Sequence, residues 1–167
     1  MNLKAELNSL NRRNPESAPA DLAALACRLA KELEKAGKYE EAHEALVEFW
    51  ANHAESPTLA QLEESTKAEV LLRVGALSGW LGVTGQIQDG QENAKNLITQ
   101  SIEILETLGD CERLAEARGE LALCYWREGA YDEARINLRS ALEVLSDQSL
   151  ELRAILLIRA GIIETWA

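Results

Sequence analysis

One pattern of apolar and polar positions occurs twice in this chain, as Gly37-Lys-Tyr-Glu-Glu-Ala-His-Glu-Ala-Leu46 and as Gly129-Ala-Tyr-Asp-Glu-Ala-Arg-Ile-Asn-Leu138. Tyr39, Ala42 and Leu46, and again Tyr131, Ala134 and Leu138, recur at spacings that gather one face of an α-helix. Each copy begins seven residues after a small residue that follows an apolar one, in Leu29-Ala30 and Leu121-Ala122. The pattern predicts a pair of helices joined by a short turn, used more than once.

Aligning backward from Ala122 exposes a weaker copy, Ala68 to Gly82 against Ala115 to Gly129, with Val74-Gly75 in place of Leu121-Ala122. Arg73-Val-Gly-Ala-Leu-Ser-Gly-Trp80 then matches Arg159-Ala-Gly-Ile-Ile-Glu-Thr-Trp166, so a further copy has begun. Paired helices are predicted over 20–36 with 39–54, 66–82 with 91–108 and 111–128 with 131–146, followed by a lone helix from 150. Short helices are also expected within 58–64, after Ser56-Pro57, and within 3–12. Pro19 and Asp21 suit an opening turn, Thr66 with Glu69 a capping box, and Asp110 and Ser149 N-caps, while Gly109 is placed to end a helix with positive φ. The last helix carries Ile155, Leu156, Leu157, Ile158, Ile162, Ile163 and Trp166 and is apolar nearly all round. A terminal helix needs a polar outer face, so either the natural chain continues past Ala167 or this face buries against a second copy. The broken repeat favours continuation.

These copies resemble the tetratricopeptide repeat, a helix-turn-helix unit that stacks into a right-handed superhelix. Gly37, Tyr39, Ala42, Leu46, Gly129, Tyr131, Ala134 and Leu138 fill the family's small and aromatic positions. In the second copy the turn is seven residues longer and Gln91 replaces the turn Tyr. The resemblance implies an all-α fold, an α-solenoid of antiparallel helix pairs over 20–167, preceded by an N-terminal segment, 1–19, with room for a short helix. Its repeats fall at about 20–54, 66–108 and 111–146, with a half repeat at 150–167. Loosely, the chain also resembles the repeat arrays of bacterial regulatory proteins, which join such helices to a further module. In this family the small positions Ala30, Gly75, Ala122 and Gly161 let neighbouring helices approach, and Tyr39 and Tyr131 pack beside the next pair.

The family's first helices line a concave surface, which places Arg28, Lys31, Arg73, Trp80, Trp126, Arg127, Arg159 and Trp166 along a candidate groove. Arginine beside tryptophan suits a protein or peptide partner that is acidic or aromatic. The alternative is that these arginines meet Glu69, Glu116 and Glu120 in ion pairs while the tryptophans pack in the core. A related carboxylate-clamping subset of the family is disfavoured, because Glu116 and Glu120 stand where the clamp needs Lys or Asn.

Charge narrows the partners. The formal net charge of −11 disfavours nucleic acid and an anionic membrane surface. Three Pro, ten Gly and 47% hydrophobic residues favour helix with a core to bury. The first thirteen residues lack the apolar run of a secretion signal, and a cytoplasmic location is the expectation. Cys27, Cys111 and Cys124 have no zinc-type pairing and read as small buried or half-buried residues. His43 and His53, ten residues apart on one predicted helix, cannot share a metal. Neither a nucleophile motif nor a bracketed pair of carboxylates stands out, so no enzyme, cofactor or metal is expected. The turn at 83–91 is a further binding candidate, or covers the edge between repeats through Ile87. The function expected is a noncatalytic scaffold that binds protein or peptide, part of a longer protein. The rivals are a ligand- or peptide-sensing segment of a bacterial regulator, and a structural unit that self-associates, as a homodimer through the last helix.

Overall fold

The computed structural model describes residues 19–53, 55–85 and 89–166. Among these the fold is all-α: α1 (Pro19–Lys35), α2 (Tyr39–Ala45), α3 (Glu64–Val83), α4 (Gly90–Leu108), α5 (Cys111–Arg127), α6 (Tyr131–Val144) and α7 (Leu150–Trp166), with no strand. The expected helix within 3–12 lies outside the described residues, as does Ile87. No described helix is long and apolar enough to cross a membrane.

Consecutive helices pack against each other, and α1, α3, α5 and α7 also touch in that order. Helices α3 and α5 divide their apolar residues between two neighbours. Val70, Val74, Leu77 and Leu81 of α3 join a core with α1 and α2, whereas Ala68 and Leu72 join one with α4 and α5. In α5, Leu114, Ala117, Leu121 and Cys124 face α4, and Ala115 and Ala122 face α6 and α7. A helix buried on two sides needs apolar residues around most of its girth, which is why α3 shows little amphipathic contrast.

Small residues set the close contacts. A Cβ added at Gly75 would lie 2.7 Å from Ile98 Cγ1 and 3.2 Å from the Ala94 carbonyl oxygen, so α4 rests directly on the α3 backbone. At the end of the same pair, a Cβ on Gly90 would meet Gly82 Cα at 2.6 Å. By contrast Gly161 is exposed and a Cβ there meets nothing within 4 Å, so it makes no close approach of the kind expected of it.

Helix ends follow local chemistry. Asp110 caps α5 by accepting from the Arg113 backbone N–H at 3.0 Å, and Gly109 ends α4 with φ of 68°. The capping box at Thr66 is not formed: α3 begins at Glu64 after Glu63, and Glu69 turns instead to Arg73 at 3.3 Å. Ser149 holds the N-cap position of α7, which begins at Leu150: its backbone carbonyl accepts the first helical N–H, from Arg153 at 3.0 Å, and its hydroxyl lies 3.4 Å from that of Ser146. The largest departure is in the first pair. Helix α2 stops at Ala45 instead of running to 54, because the chain turns to bury Leu46, Phe49 and Trp50 with Leu62 against α1 and α3. Thr58 N–H donates to the Phe49 carbonyl at 2.7 Å and fixes that fold-back. The separate helix expected within 58–64 does not form before α3 begins at Glu64; Gln61 has a φ of 65°.

Candidate binding cleft

A cleft of about 460 Å³ lies on the face shared by α1, α3, α5 and α7. Helical spacing brings the lining together: Lys31, Glu34 and Lys35 from α1, Arg73, Ala76, Leu77 and Trp80 from α3, and Glu116, Glu120, Leu123 and Arg127 from α5. Leu152, Ile155 and Arg159 of α7 close the far side, and Tyr39 of α2 stands at one end. Tyr39 stacks on Trp80 with ring centroids 3.9 Å apart, tying the first pair to the second.

The floor of the cleft is an ion-pair knot. Arg73 is 2% exposed. Its guanidinium donates to Glu34 Oε2 at 2.9 Å and Glu116 Oε1 at 2.6 Å, and Glu69 lies 3.3 Å from Nε. Burial alone disfavours the guanidinium, but Glu34, Glu116 and Glu69 outweigh it and hold the cation firmly charged. Glu116 also receives Lys31 Nζ at 2.6 Å, and these two cations overcome its burial and hold its carboxyl below the ordinary range. Glu34 has no second cation among the described residues. Burial, with repulsion from Glu120 and Glu116, outweighs Arg73 and pushes its carboxyl up to about 7. Its Oε1 is buried and accepts no hydrogen bond.

The other charges in the cleft are mostly paired as well. Arg159 meets Glu120 at 2.6 Å and Arg113 meets Asp110 at 2.8 Å. Lys35 reaches Glu151 at 3.1 Å, an exposed bridge from the first described helix to the last. Of the cations lining the cleft, Arg127 alone has no acidic partner among the described residues. It lies over the bare backbone of α3, with Nη1 3.2 Å from where a Cβ on Gly79 would stand.

Five of the eight residues singled out from the sequence therefore meet in the cleft: Lys31, Arg73, Trp80, Arg127 and Arg159. Arg28 is exposed and does not line it. Trp126 is half-buried against the core of α5, α6 and α7, also outside the cleft. The side chain of Trp166 lies outside the described residues. Glu34, whose oxygen closes the knot, was missed, although its place three after Lys31 and four after Ala30 puts it on the same face. The three carboxylates of the ion-pair alternative are all engaged by these arginines: Arg73 meets Glu116 of α5 and Arg159 meets Glu120 across helices, and Arg73 meets Glu69 within α3.

Two further expectations change. His43 and His53 are not separated along one helix; with α2 ending at Ala45 the chain doubles back, and their Nε2 atoms stand 2.9 Å apart. Cys27 and Cys124 are buried, which drives the Cys27 thiol far up and the Cys124 thiol up to about 12, whereas Cys111 is exposed. In the turn at 83–91, the Gln91 amide donates to the Gly79 carbonyl, beneath the position of Arg127. No protein-family model matches the chain, and no curated protein matches it.

Proposed function

We propose that the chain is a short α-solenoid of tetratricopeptide-like helix pairs, about three and a half of them, and a noncatalytic, cytoplasmic module that holds a short protein or peptide segment in this cleft. The observation that carries the reading is Arg127, a cation without an acidic partner among the described residues, in a cleft whose other cations are paired internally. Paired charges are costly to redirect to a ligand, while an available guanidinium offers a planar, bidentate donor set to one carboxylate. Trp80, Leu123 and Ile155 give the same cleft its apolar area. The fitting segment has an Asp, a Glu or a terminal carboxylate close to an aromatic or branched apolar side chain. This is a narrower partner than an acidic stretch facing several arginines.

Glu34, with its carboxyl near 7, has the titration of a general acid or base. Its oxygens are not placed for that work, since Oε1 is sealed and Oε2 is occupied by Arg73. The noncatalytic reading rests on that geometry.

Selection from a displayed random-peptide library should enrich carboxylate-aromatic sequences. Arg127→Glu should weaken the selected peptides at least tenfold with the thermal melt unchanged. Enriched peptides that bind Arg127→Glu as well as the parent would sink the proposal. The regulator reading, with a small ligand in the same place, is favoured by one feature: the Lys35–Glu151 bridge joins the two rims of a cleft no larger than many small-molecule sites. A thermal shift with metabolites, and none with selected peptides, would choose it instead.

A further inference from the structure

We propose that His43 and His53 form a binding site for a divalent transition-metal ion of the copper or zinc class, separate from the cleft. His43 sits on α2 and His53 in the fold-back that follows it, and their rings are perpendicular with centroids 4.2 Å apart and Nε2 atoms 2.9 Å apart. At that distance the two nitrogens share a hydrogen bond in the metal-free fold, the donor being set by the tautomer, and a centroid separation below the roughly 5 Å of a head-on pair means that at least one ring meets the other from the side. Two metal–nitrogen bonds of about 2.0–2.1 Å opening at a right angle place their nitrogens about 2.9 Å apart, the spacing seen here.

The surroundings suit ligation. Trp50 meets both rings, edge-on to His43 and stacked with His53, each with centroids 5.0 Å apart, and so orients them, as outer-shell partners of metal-bound histidines do. His53 opens onto a second cleft of about 480 Å³ that also holds Glu55, Ser56, Asn93 and Gln100. No group of three or more His, Cys, Asp or Glu side chains suited to a metal occurs among the described residues, so water or an incoming donor completes the coordination. Such a two-nitrogen site binds at micromolar rather than nanomolar concentrations, copper ahead of zinc.

The test uses the full chain carrying Cys111→Ser, which removes the exposed thiol as a competing ligand. Titration with copper(II) chloride at pH 7.5 should quench tryptophan fluorescence, Trp50 being in contact with both rings, and should saturate at one equivalent. His53→Gln, in the fold-back, and His43→Gln should each weaken this at least tenfold. Electron paramagnetic resonance of the one-to-one complex should show coupling to two imidazole nitrogens, a readout that needs no variant to fold. Quenching that does not saturate, equal binding by both variants, or a spectrum with fewer than two nitrogens overturns the site.

Discussion

The charge balance beneath the cleft makes a quantitative forecast for Glu34. Three carboxylates, Glu34, Glu69 and Glu116, surround the one guanidinium of Arg73; Glu116 has a further cation in Lys31 and Glu69 one in Arg113 at 3.9 Å, whereas Glu34 has none among the described residues. Burial with Glu120 and Glu116 nearby raises the Glu34 carboxyl from 4.5 to about 7 in the fold. Between those values the folded chain holds a proton that the unfolded chain has released. Stability therefore falls as pH rises through the window from 4.5 to about 7. At about 1.36 kcal/mol per tenfold change in proton binding, the loss between pH 5 and pH 8 is roughly 2 kcal/mol. Glu34→Gln keeps an oxygen to accept from Arg73 and removes the charge, so its stability relative to the parent should grow by roughly 2 kcal/mol over that interval. Glu116 and Asp110 do not confuse the comparison, since both are held below their ordinary range and stay ionised above pH 5. Urea unfolding followed by circular dichroism at four pH values checks it. A difference between variant and parent that is flat with pH would refute the argument that Glu34 is undercompensated.

The remaining forecasts concern the same framework. Arg73→Met leaves Glu34, Glu69 and Glu116 facing one another without their shared cation and should cost about 3–5 kcal/mol at pH 8 in urea unfolding; a loss under ~1 kcal/mol would show the knot to be dispensable. Gly75→Ala and Gly161→Ala should move the melting temperature in opposite directions. The first drives a methyl into Ile98 and should cost about 1–3 kcal/mol, whereas the second fills open space in a helix and should gain roughly 0.5–1 kcal/mol. Shifts of the same sign in both would contradict the packing described for α3 and α7.

The helices were legible in the sequence wherever a repeated apolar pattern coincided with a stop signal. Gly109-Asp110 marks the junction of α4 and α5 because Gly109 adopts positive φ and the Asp110 carboxylate reaches a free N–H, both properties of the residue alone. The end of α2 was not legible. Val47 to Trp50 fit a continuing helix, and only the demand of Phe49 and Trp50 for a place beside Leu62 turns the chain earlier. That single departure also hid the histidine pair, since the distance between His43 and His53 depends on where the helix stops. In the cleft, helical register placed Lys31, Arg73, Trp80, Arg127 and Arg159 on one surface, and it places Glu69 one turn before Arg73, but it says nothing of the carboxylates met across helices. Those come from far along the chain, with Glu34 and Glu116 lying 39 and 43 positions from Arg73.

The ion pairs also divide the labour within the cleft. Arg73 joins Glu34 of α1 to Glu116 of α5 through α3, and it is buried, so breaking it leaves uncompensated charge in a dry place. The knot therefore fixes the relative positions of three helices and with them the curvature of the floor. The Lys35–Glu151 bridge joins α1 to α7 over the rim, but both side chains are largely exposed, and such pairs contribute about 0–1 kcal/mol. A ligand can open that bridge cheaply and cannot open the knot. In the proposed binding role, recognition falls to what the knot leaves uncommitted, the guanidinium of Arg127 and the apolar surface of Trp80 and Leu123, which line the same cleft. In that role a chain with a net charge of −11 offers a carboxylate one well-placed cation, because Glu34, Glu116 and Glu120 of the lining are already engaged with Arg73, Lys31 and Arg159.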